Sequence, residues 1–116
     1  MYVDDGTRLR HMLDAAREAS GFARDNSRAD LEVNRLLAFG LVKLIEIVGE
    51  AASKVTREFQ TAHPEIPWRN IVGMRHVLVH DYDQIDLDVV WEVVTTDLPA
   101  LVDALQPLMP HTPNSE

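Results

Sequence analysis

The stretch that decides the fold covers residues 36–55, Leu-Leu-Ala-Phe-Gly-Leu-Val-Lys-Leu-Ile-Glu-Ile-Val-Gly-Glu-Ala-Ala-Ser-Lys-Val. Its apolar residues recur every three or four positions, which is the spacing of a buried helix face. The stripe extends to Phe59, so we predict a long helix over residues 29–61. At about 1.5 Å per residue, thirty residues of such a helix would measure roughly 45 Å, more than a domain of this size can bury. Its length therefore predicts either a bend or a partner subunit.

Gly49 lies inside this helix, where glycine costs about 1 kcal/mol relative to alanine. The expected compensation is the close approach of another backbone, with a tolerated kink as the alternative. Lys43 and Glu46 interrupt the apolar run, so we do not expect this segment to span a membrane.

Helical periodicity continues on both sides of this segment. Residues 7–23 carry one apolar stripe, and Thr7 is a candidate N-cap for this first helix. Pro64 and Pro67 cannot lie in a helix interior, so they end the long helix. Pro67 is well placed to begin a third helix that extends to about His80.

The C-terminal part of the chain predicts two more helices after a polar turn at residues 81–86. Asp86 is a candidate cap for a fourth helix over residues 87–96. Asp97 is a candidate cap for a last helix that begins at Pro99. The fold class predicted for the whole chain is therefore all-α, a bundle of four to five helices.

The composition is that of one globular domain, with 116 residues, 46% of them apolar and 26% charged. We expect a helical domain over residues 1–110 and a flexible tail over residues 111–116. The chain has no cysteine, which excludes disulfides and thiolate metal sites. Its N-terminus lacks the features of a signal peptide, so a cytoplasmic location is expected.

The formal net charge of −8 argues against a general nucleic-acid coat protein, which would be basic. A nuclease with a local basic groove remains compatible with this charge. Eleven basic residues are present and most of them are arginine, the side chain best suited to forked contacts with phosphate.

The stretch richest in chemistry covers residues 75–82, Arg-His-Val-Leu-Val-His-Asp-Tyr. Arg75 could stabilise the extra negative charge on a five-coordinate phosphorus. His80 could remove the proton from a ribose 2′-hydroxyl or protonate the departing 5′-oxygen. His76 could orient a phosphate. Because the 2′-hydroxyl is an internal nucleophile, this RNA cleavage would need no metal and no cofactor.

The spacing of Arg75 and His80 leaves their relative placement open. On a regular helix the two side chains would point about 140° apart and lie about 7.5 Å apart along the axis. Either the helix ends near His80 and frees its ring, or two copies of the segment meet across a dimer axis. The apolar surface of the long helix favours the second arrangement.

Each of these residues also has a simpler interpretation. Arg75 alone is more often a salt-bridge partner, and single histidines such as His76 and His80 more often lie at helix ends or on the surface. Glu46 and Glu50 lie one helix turn apart and could face the same groove, although an exposed carboxylate pair is the simpler explanation.

A metal site is a further alternative, because several hard or borderline ligands are close in sequence. No regular ligand pattern is visible among them, and the carboxylates serve equally well in turns and caps. The candidate ligands are His80, Asp81, Asp83, Asp86 and Asp88.

Residues 66–82, Ile-Pro-Trp-Arg-Asn-Ile-Val-Gly-Met-Arg-His-Val-Leu-Val-His-Asp-Tyr, resemble the signature of HepT-like toxins. These toxins belong to the HEPN superfamily, whose mark is Arg, a polar residue and then His after a short gap. The HepT-like subgroup adds Tyr two residues after the His. Residues 45–52 resemble its second-helix signature and residues 87–101 its C-terminal part, so the likeness covers residues 9–108.

The resemblance implies an HEPN-like antiparallel helical bundle that forms a homodimer and acts as a metal-independent endoribonuclease. Arg75 and His80 match the catalytic pair of the family. Arg69 and His76 are candidate supporting or substrate-binding residues, and position 76 is His where Asn is common in the subgroup.

The resemblance also implies a type VII-like toxin–antitoxin pair. The partner would be a nucleotidyltransferase antitoxin that transfers AMP to Tyr82. AMP on Tyr82 would place bulk and phosphate charge beside Arg75 and compete with RNA. The alternative hypothesis is a non-catalytic helical binding module that docks a nucleotidyltransferase or a nucleotide.

Overall fold

The computed structural model describes residues 4–81 and 84–109, with the backbone alone at residues 79–81. The elements along the chain are α1 (Asp5–Arg24), α2 (Asp30–Val33), α3 (Arg35–Ser53), α4 (Arg57–Ala62), α5 (Trp68–Gly73), a 3-10 turn (Met74–Val77), β1 (Val79–Asp81), β2 (Gln84–Ile85), α6 (Leu87–Glu92), a π segment (Val93–Asp97), α7 (Leu98–Leu105) and a last 3-10 turn (Gln106–Leu108). The all-α prediction is confirmed, apart from a short two-stranded ladder. The predicted tail at residues 111–116 lies outside the described residues.

The core forms where α1 packs against both α3 and α7, and α3 packs against α5. The buried face of α1 carries Leu9, Met12, Leu13, Ala16 and Ala19, at the predicted spacing of three and four. Small residues on this face let α3 approach closely. No described helix is both long and apolar enough to cross a membrane.

Helix α1 begins earlier than the sequence predicts. Its N-cap is Asp4, and Asp4 Oδ1 accepts a hydrogen bond from the Thr7 amide at 2.9 Å. The prediction of Thr7 as the N-cap is therefore wrong, because an aspartate three residues earlier satisfies the free amides of the first turn. The hydrogen bonds from Thr7 lower the pKa of the Asp4 carboxyl.

The helix predicted over residues 29–61 is divided into three, so the prediction of one continuous helix is wrong. Asn34 separates α2 from α3, and its side chain caps α3 by accepting from the Leu37 amide at 3.0 Å. Thr56 separates α3 from α4 with an extended backbone, and its hydroxyl accepts from the Phe59 amide at 3.2 Å. Two N-cap side chains therefore interrupt the helix, which is the first of the two outcomes, a bend or a partner subunit, that its length predicts.

The third predicted helix ends well before His80. Helix α5 stops at Gly73, the chain tightens into the 3-10 turn, and β1 then begins at Val79. Glycine is a poor helix former, and the β-branched valines that follow favour extended backbone. Within the predicted turn at residues 81–86, Asp81, Gln84 and Ile85 belong to an antiparallel ladder in which Val79 pairs with Ile85 and Asp81 with Gln84. Residues 82 and 83 lie outside the described residues.

The two C-terminal predicted helices form one unbroken helical stretch from α6 through the π segment to α7. Asp86 caps it as predicted, with Asp86 Oδ1 accepting from the Val89 amide at 3.1 Å. Asp97 is not a cap, because its backbone is helical and its side chain makes no capping bond. Pro99 lacks an amide hydrogen and its ring would clash with the carbonyl of Thr95, so the wider π turns just before it accommodate the proline.

Candidate functional site

The Arg75 segment is held at the surface by two buried anchors. Met74 and Leu78 are buried, whereas the three residues between them, Arg75, His76 and Val77, are exposed. Met74 and Leu78 are four residues apart, so in a helical segment their side chains lie on one side and those between them turn outward. The local geometry therefore presents Arg75 and His76 to solvent, as substrate contact requires.

Gly49 positions the element that leads into this segment. A Cβ atom at Gly49 would lie 3.2 Å from the carbonyl oxygen of Ile71 and 3.5 Å from that of Val72. The backbone of α5 thus packs directly on α3 at this glycine, and the predicted close approach is confirmed. The contact fixes the place of α5 two residues before Met74, and hence the place of Arg75.

Glu50, the next residue on α3, holds the Arg75 guanidinium. Arg75 Nη1 donates to Glu50 Oε1 at 3.1 Å, and Lys54 Nζ lies 3.1 Å from Glu50 Oε2. The hydrogen bonds from Lys54 and then Arg75 lower the pKa of the Glu50 carboxyl. Glu50 is therefore an anion shared by two cations. Among the described residues, Glu50 is the one hydrogen-bond partner of Arg75, so the remaining N–H donors of the guanidinium, which carries five, could bind a phosphate.

A cavity of about 460 Å³ opens beside Arg75, between α1 and α3, and we call it the α1–α3 cavity. This volume is in the range of ligand sites. Its walls combine basic, titratable and acidic side chains with two apolar residues. They are Arg8, His11, Lys43, Glu46, Ile47, Glu50, Ala51 and Arg75. Glu46 and Glu50 thus line the same cavity. Both residues are also exposed, as the simpler interpretation of a surface carboxylate pair predicts.

Arg8, His11 and Lys43 are the site residues that sequence reasoning missed. Arg8 and His11 lie three apart on α1, and Lys43 lies one turn before Glu46 and Ile47 on α3. Helical spacing could have grouped the members on each helix. The sequence does not show, however, that α1 packs against α3 in the register that brings Arg8 and His11 next to Lys43.

His80 lies in the middle of β1, in extended rather than helical backbone. Of the two arrangements open for Arg75 and His80, the first required the helix to end before His80, and it does end there. The side chain of His80, and all of Tyr82, lie outside the described residues. Their catalytic and modification roles stay predictions.

Arg69 lies apart from Arg75. It is exposed on α5 and lines two other depressions, one shared with Asp88 and Glu92 and one with Arg57. Neither of these depressions contains Arg75. A supporting role for Arg69 would therefore require a substrate that extends around α5.

The candidate metal ligands have other roles where their side chains are described. Asp86 caps α6, and Asp88 accepts from Arg28 Nε at 2.8 Å. Within residues 4–78 and 84–109, no group of three or more His, Asp or Glu side chains is placed to hold a metal ion. Asp83 and the side chains of His80 and Asp81 lie outside that part of the chain.

Comparison with known proteins places this architecture in a family. The family model "Ribonuclease HepT-like" matches residues 12–108. The probable ribonuclease HepT of Thermococcus cleftensis is 33% identical over 80% of this chain and 84% of its own length. A candidate RNase of Methanocaldococcus jannaschii is 29% identical over 80% of this chain and 85% of its own. No solved structure gives a significant match. A match over most of the described helices, including the whole Arg75 segment, shows that the chain belongs to the HepT-like ribonuclease family.

Proposed function

We propose that this protein is a metal-independent endoribonuclease in which Arg75 and His80 act on one phosphodiester. The observation that carries the proposal is the exposed Arg75 guanidinium, fixed by Glu50 at the edge of an open cavity, in a chain of the HepT-like ribonuclease family. An arginine held by one carboxylate keeps donors free for a second anion.

The reaction would use the 2′-hydroxyl of the substrate as the nucleophile. The 2′-oxygen forms a bond to phosphorus while the bond from phosphorus to the 5′-oxygen breaks. His80 takes the proton of the 2′-hydroxyl or supplies one to the 5′-oxygen. Arg75 stabilises the negative charge that develops on the phosphoryl oxygens. The products are a 2′,3′-cyclic phosphate end and a free 5′-hydroxyl end.

The test is cleavage of a labelled single-stranded RNA by unmodified protein in the presence of EDTA. We expect Arg75→Ala and His80→Ala each to lower the rate of RNA cleavage at least about a hundredfold. A positioned acid–base group or charge-stabilising donor usually contributes a factor of this size. Arg24→Ala, which removes an exposed arginine at the far end of α1, should retain the full rate. Equal activity in wild type and His80→Ala would remove His80 from the mechanism.

We further propose that the protein is the toxin of a toxin–antitoxin pair and that a partner nucleotidyltransferase silences it by transferring AMP to Tyr82. Tyr82 directly follows β1 in the sequence, seven residues after Arg75. A phosphate on Tyr82 would compete with RNA for the Arg75 donors. Intact mass, measured after expression with and without the genomic neighbour, should show a gain of one or more AMP units that Tyr82→Phe abolishes.

Growth of the expressing cells separates the toxin from the non-catalytic binding module. A ribonuclease toxin should arrest growth when expressed without its partner, and Arg75→Ala should relieve the arrest. Harmless expression of folded wild-type protein would instead favour the binding module.

We also propose that the active form is a homodimer in which Arg75 and His80 from both copies line one groove. Val77, beside Arg75 in the exposed segment, is 57% exposed. Contact with a second copy would remove this apolar side chain from water. Because a two-fold interface brings the same patch from both copies together, the two motif segments would then meet.

A further inference from the structure

We propose that Arg8, His11 and Lys43 form a second phosphate-binding subsite, which holds the RNA backbone next to the phosphodiester at Arg75. The proposal deepens the ribonuclease function and rests on it for the identity of the ligand. The three residues line the α1–α3 cavity together with Arg75, so a strand that reaches Arg75 lies within reach of all of them.

The local charge at this cavity is opposite in sign to the charge of the chain as a whole. The chain as a whole carries a formal charge of −8. The cavity is lined by three permanent cations, Arg8, Lys43 and Arg75, against two carboxylates. One of these carboxylates, Glu50, is already engaged by Lys54 and Arg75. A phosphate chain repelled by most of the surface would therefore find a positive site here.

Arg8 gives independent support because its donor capacity is unused. Its Nε is buried and has no hydrogen-bond partner within the described part of the chain. A buried donor without an acceptor costs roughly 1–3 kcal/mol, more when the group is charged. Arg8 also lines the cavity, where an anion would offer its guanidinium an acceptor. A purely structural arginine would be expected to have an acceptor inside the fold.

Lys43 and His11 complete a set suited to phosphate. Neither has an ion pair or hydrogen bond in the region that the structure describes, and both are exposed at the cavity. Lysine is a mobile point charge and arginine a fixed fork, so together they can follow a backbone without reading its bases. The ligand expected from this chemistry is a single-stranded ribose-phosphate chain, bound without marked sequence preference.

The experiment measures binding separately from cleavage. The probe is a short, fluorescently labelled 2′-O-methyl oligonucleotide, which lacks the nucleophilic hydroxyl, and the protein carries His80→Ala. Fluorescence anisotropy is recorded over a series of salt concentrations for this protein and for the added changes Lys43→Ala and Arg8→Ala. The matched control is Arg17→Ala, which removes an exposed cation of α1 that does not line the cavity.

We expect Lys43→Ala and Arg8→Ala each to weaken binding about tenfold or more, as the loss of a charged hydrogen bond does. Lys43→Ala should also make the slope of log affinity against log salt shallower by about 0.7, the value of one phosphate contact on a single strand. Arg17→Ala should change neither quantity. Because Lys43 is exposed, its variant keeps the fold even if Arg8→Ala does not.

Two outcomes would overturn the subsite. One is a Lys43→Ala protein that binds like Arg17→Ala, and the other is no binding of the probe by the parent protein. Failure of the ribonuclease proposal looks different. In that case the affinities would still fall in the cavity variants, while the wild-type protein would leave an unmodified RNA uncut.

Discussion

Gly49 shows how one residue without a side chain positions the candidate site. Alanine at this position would gain helix propensity, worth about 1 kcal/mol. Its Cβ, however, would meet the carbonyl oxygen of Ile71 at 3.2 Å, and a backbone oxygen cannot rotate away as a side chain can. Forced repacking of this kind costs about 1–3 kcal/mol. We therefore expect Gly49→Ala to lower the free energy of unfolding by about 1 kcal/mol, measured by urea denaturation.

Gly40, on the same helix, is the matched control. A Cβ atom there has nothing within 4 Å, so Gly40→Ala should stabilise the protein by up to about 1 kcal/mol. Opposite signs at the two glycines would isolate the contact with α5 from helix propensity. Stabilisation at both positions would show that α5 moves away at little cost, and the argument that Gly49 places Arg75 would fail.

Single residues also mark how far the sequence predicts the site. The sequence predicts a close backbone approach at Gly49, because glycine in the middle of a helix is unfavourable unless another contact compensates for it. The pairing of Glu50 with Arg75 spans 25 positions and depends on how α3 and the 3-10 turn meet, which periodicity does not encode. The motif identifies Arg75 as a catalytic candidate, whereas its exposure and its ion pair with Glu50 are known only from the structure.

At the scale of elements, the bend between α3 and α4 depends on a contact with the start of α1. The Asp5 carboxylate accepts from the Thr56 amide at 3.0 Å and from the Thr56 hydroxyl at 2.7 Å. The same hydroxyl caps α4. We expect Thr56→Ala to destabilise the protein by about 1–2 kcal/mol, since it removes both a cap and a hydrogen bond to a charged group.

A double-mutant cycle with Asp5→Ala measures the link directly. Residues in direct contact couple by about 0.5–3 kcal/mol, so the two losses should not add. Thr61→Ala, on the exposed side of α4, is the control and should be close to neutral. Additive losses for Asp5 and Thr56 would mean that the two helix ends are stabilised independently.

The π segment supplies a prediction on pH. Partial loss of water around its carboxyl, and then the neighbouring Glu92 carboxylate, raise the pKa of Asp97 above its usual value. A raised pKa means that the fold favours the neutral acid, so this group supports stability below its unfolded pKa and loses that support as pH rises through the folded pKa. Asp97→Asn should therefore raise the urea midpoint at neutral pH, with the difference vanishing in acid below the ordinary range of aspartate. An Asp97→Asn protein whose urea midpoint equals that of wild type at neutral pH as well as in acid would contradict this account.

The elements also show why sequence reasoning misplaced boundaries while finding the helices. Periodicity located the buried faces of α1 and α3, but the apolar stripe continues across Thr56 because a short cap leaves it intact. Conversely, Asp97 and Pro99 have the sequence pattern of a helix start. The helical stretch from α6 to α7 is nevertheless unbroken, because the π turns before Pro99 accommodate the proline ring. Caps and π turns depend on a few hydrogen bonds that hydrophobic spacing does not report.

At the scale of the whole molecule, the open question is whether one chain or two build a catalytic groove. Arg75 is on the 3-10 turn and His80 is on β1, so no single rigid helix links them. In a composite site, Arg75 of one copy works with His80 of the other. In a site within one chain, each copy carries its own pair. The two arrangements predict different behaviour for mixtures of inactive variants.

Arg75→Ala and His80→Ala proteins, each inactive alone, should be unfolded together, refolded and assayed for RNA cleavage. In a composite two-fold dimer, half of the random dimers are mixed, and each mixed dimer has one intact site, so activity should return to about a quarter of wild type. If each site lies within a single chain, every copy still lacks either Arg75 or His80, so no cleavage activity should be recovered. Differently tagged chains should first show that mixed dimers form. If mixed dimers are present and cleavage is not recovered, the shared groove is contradicted.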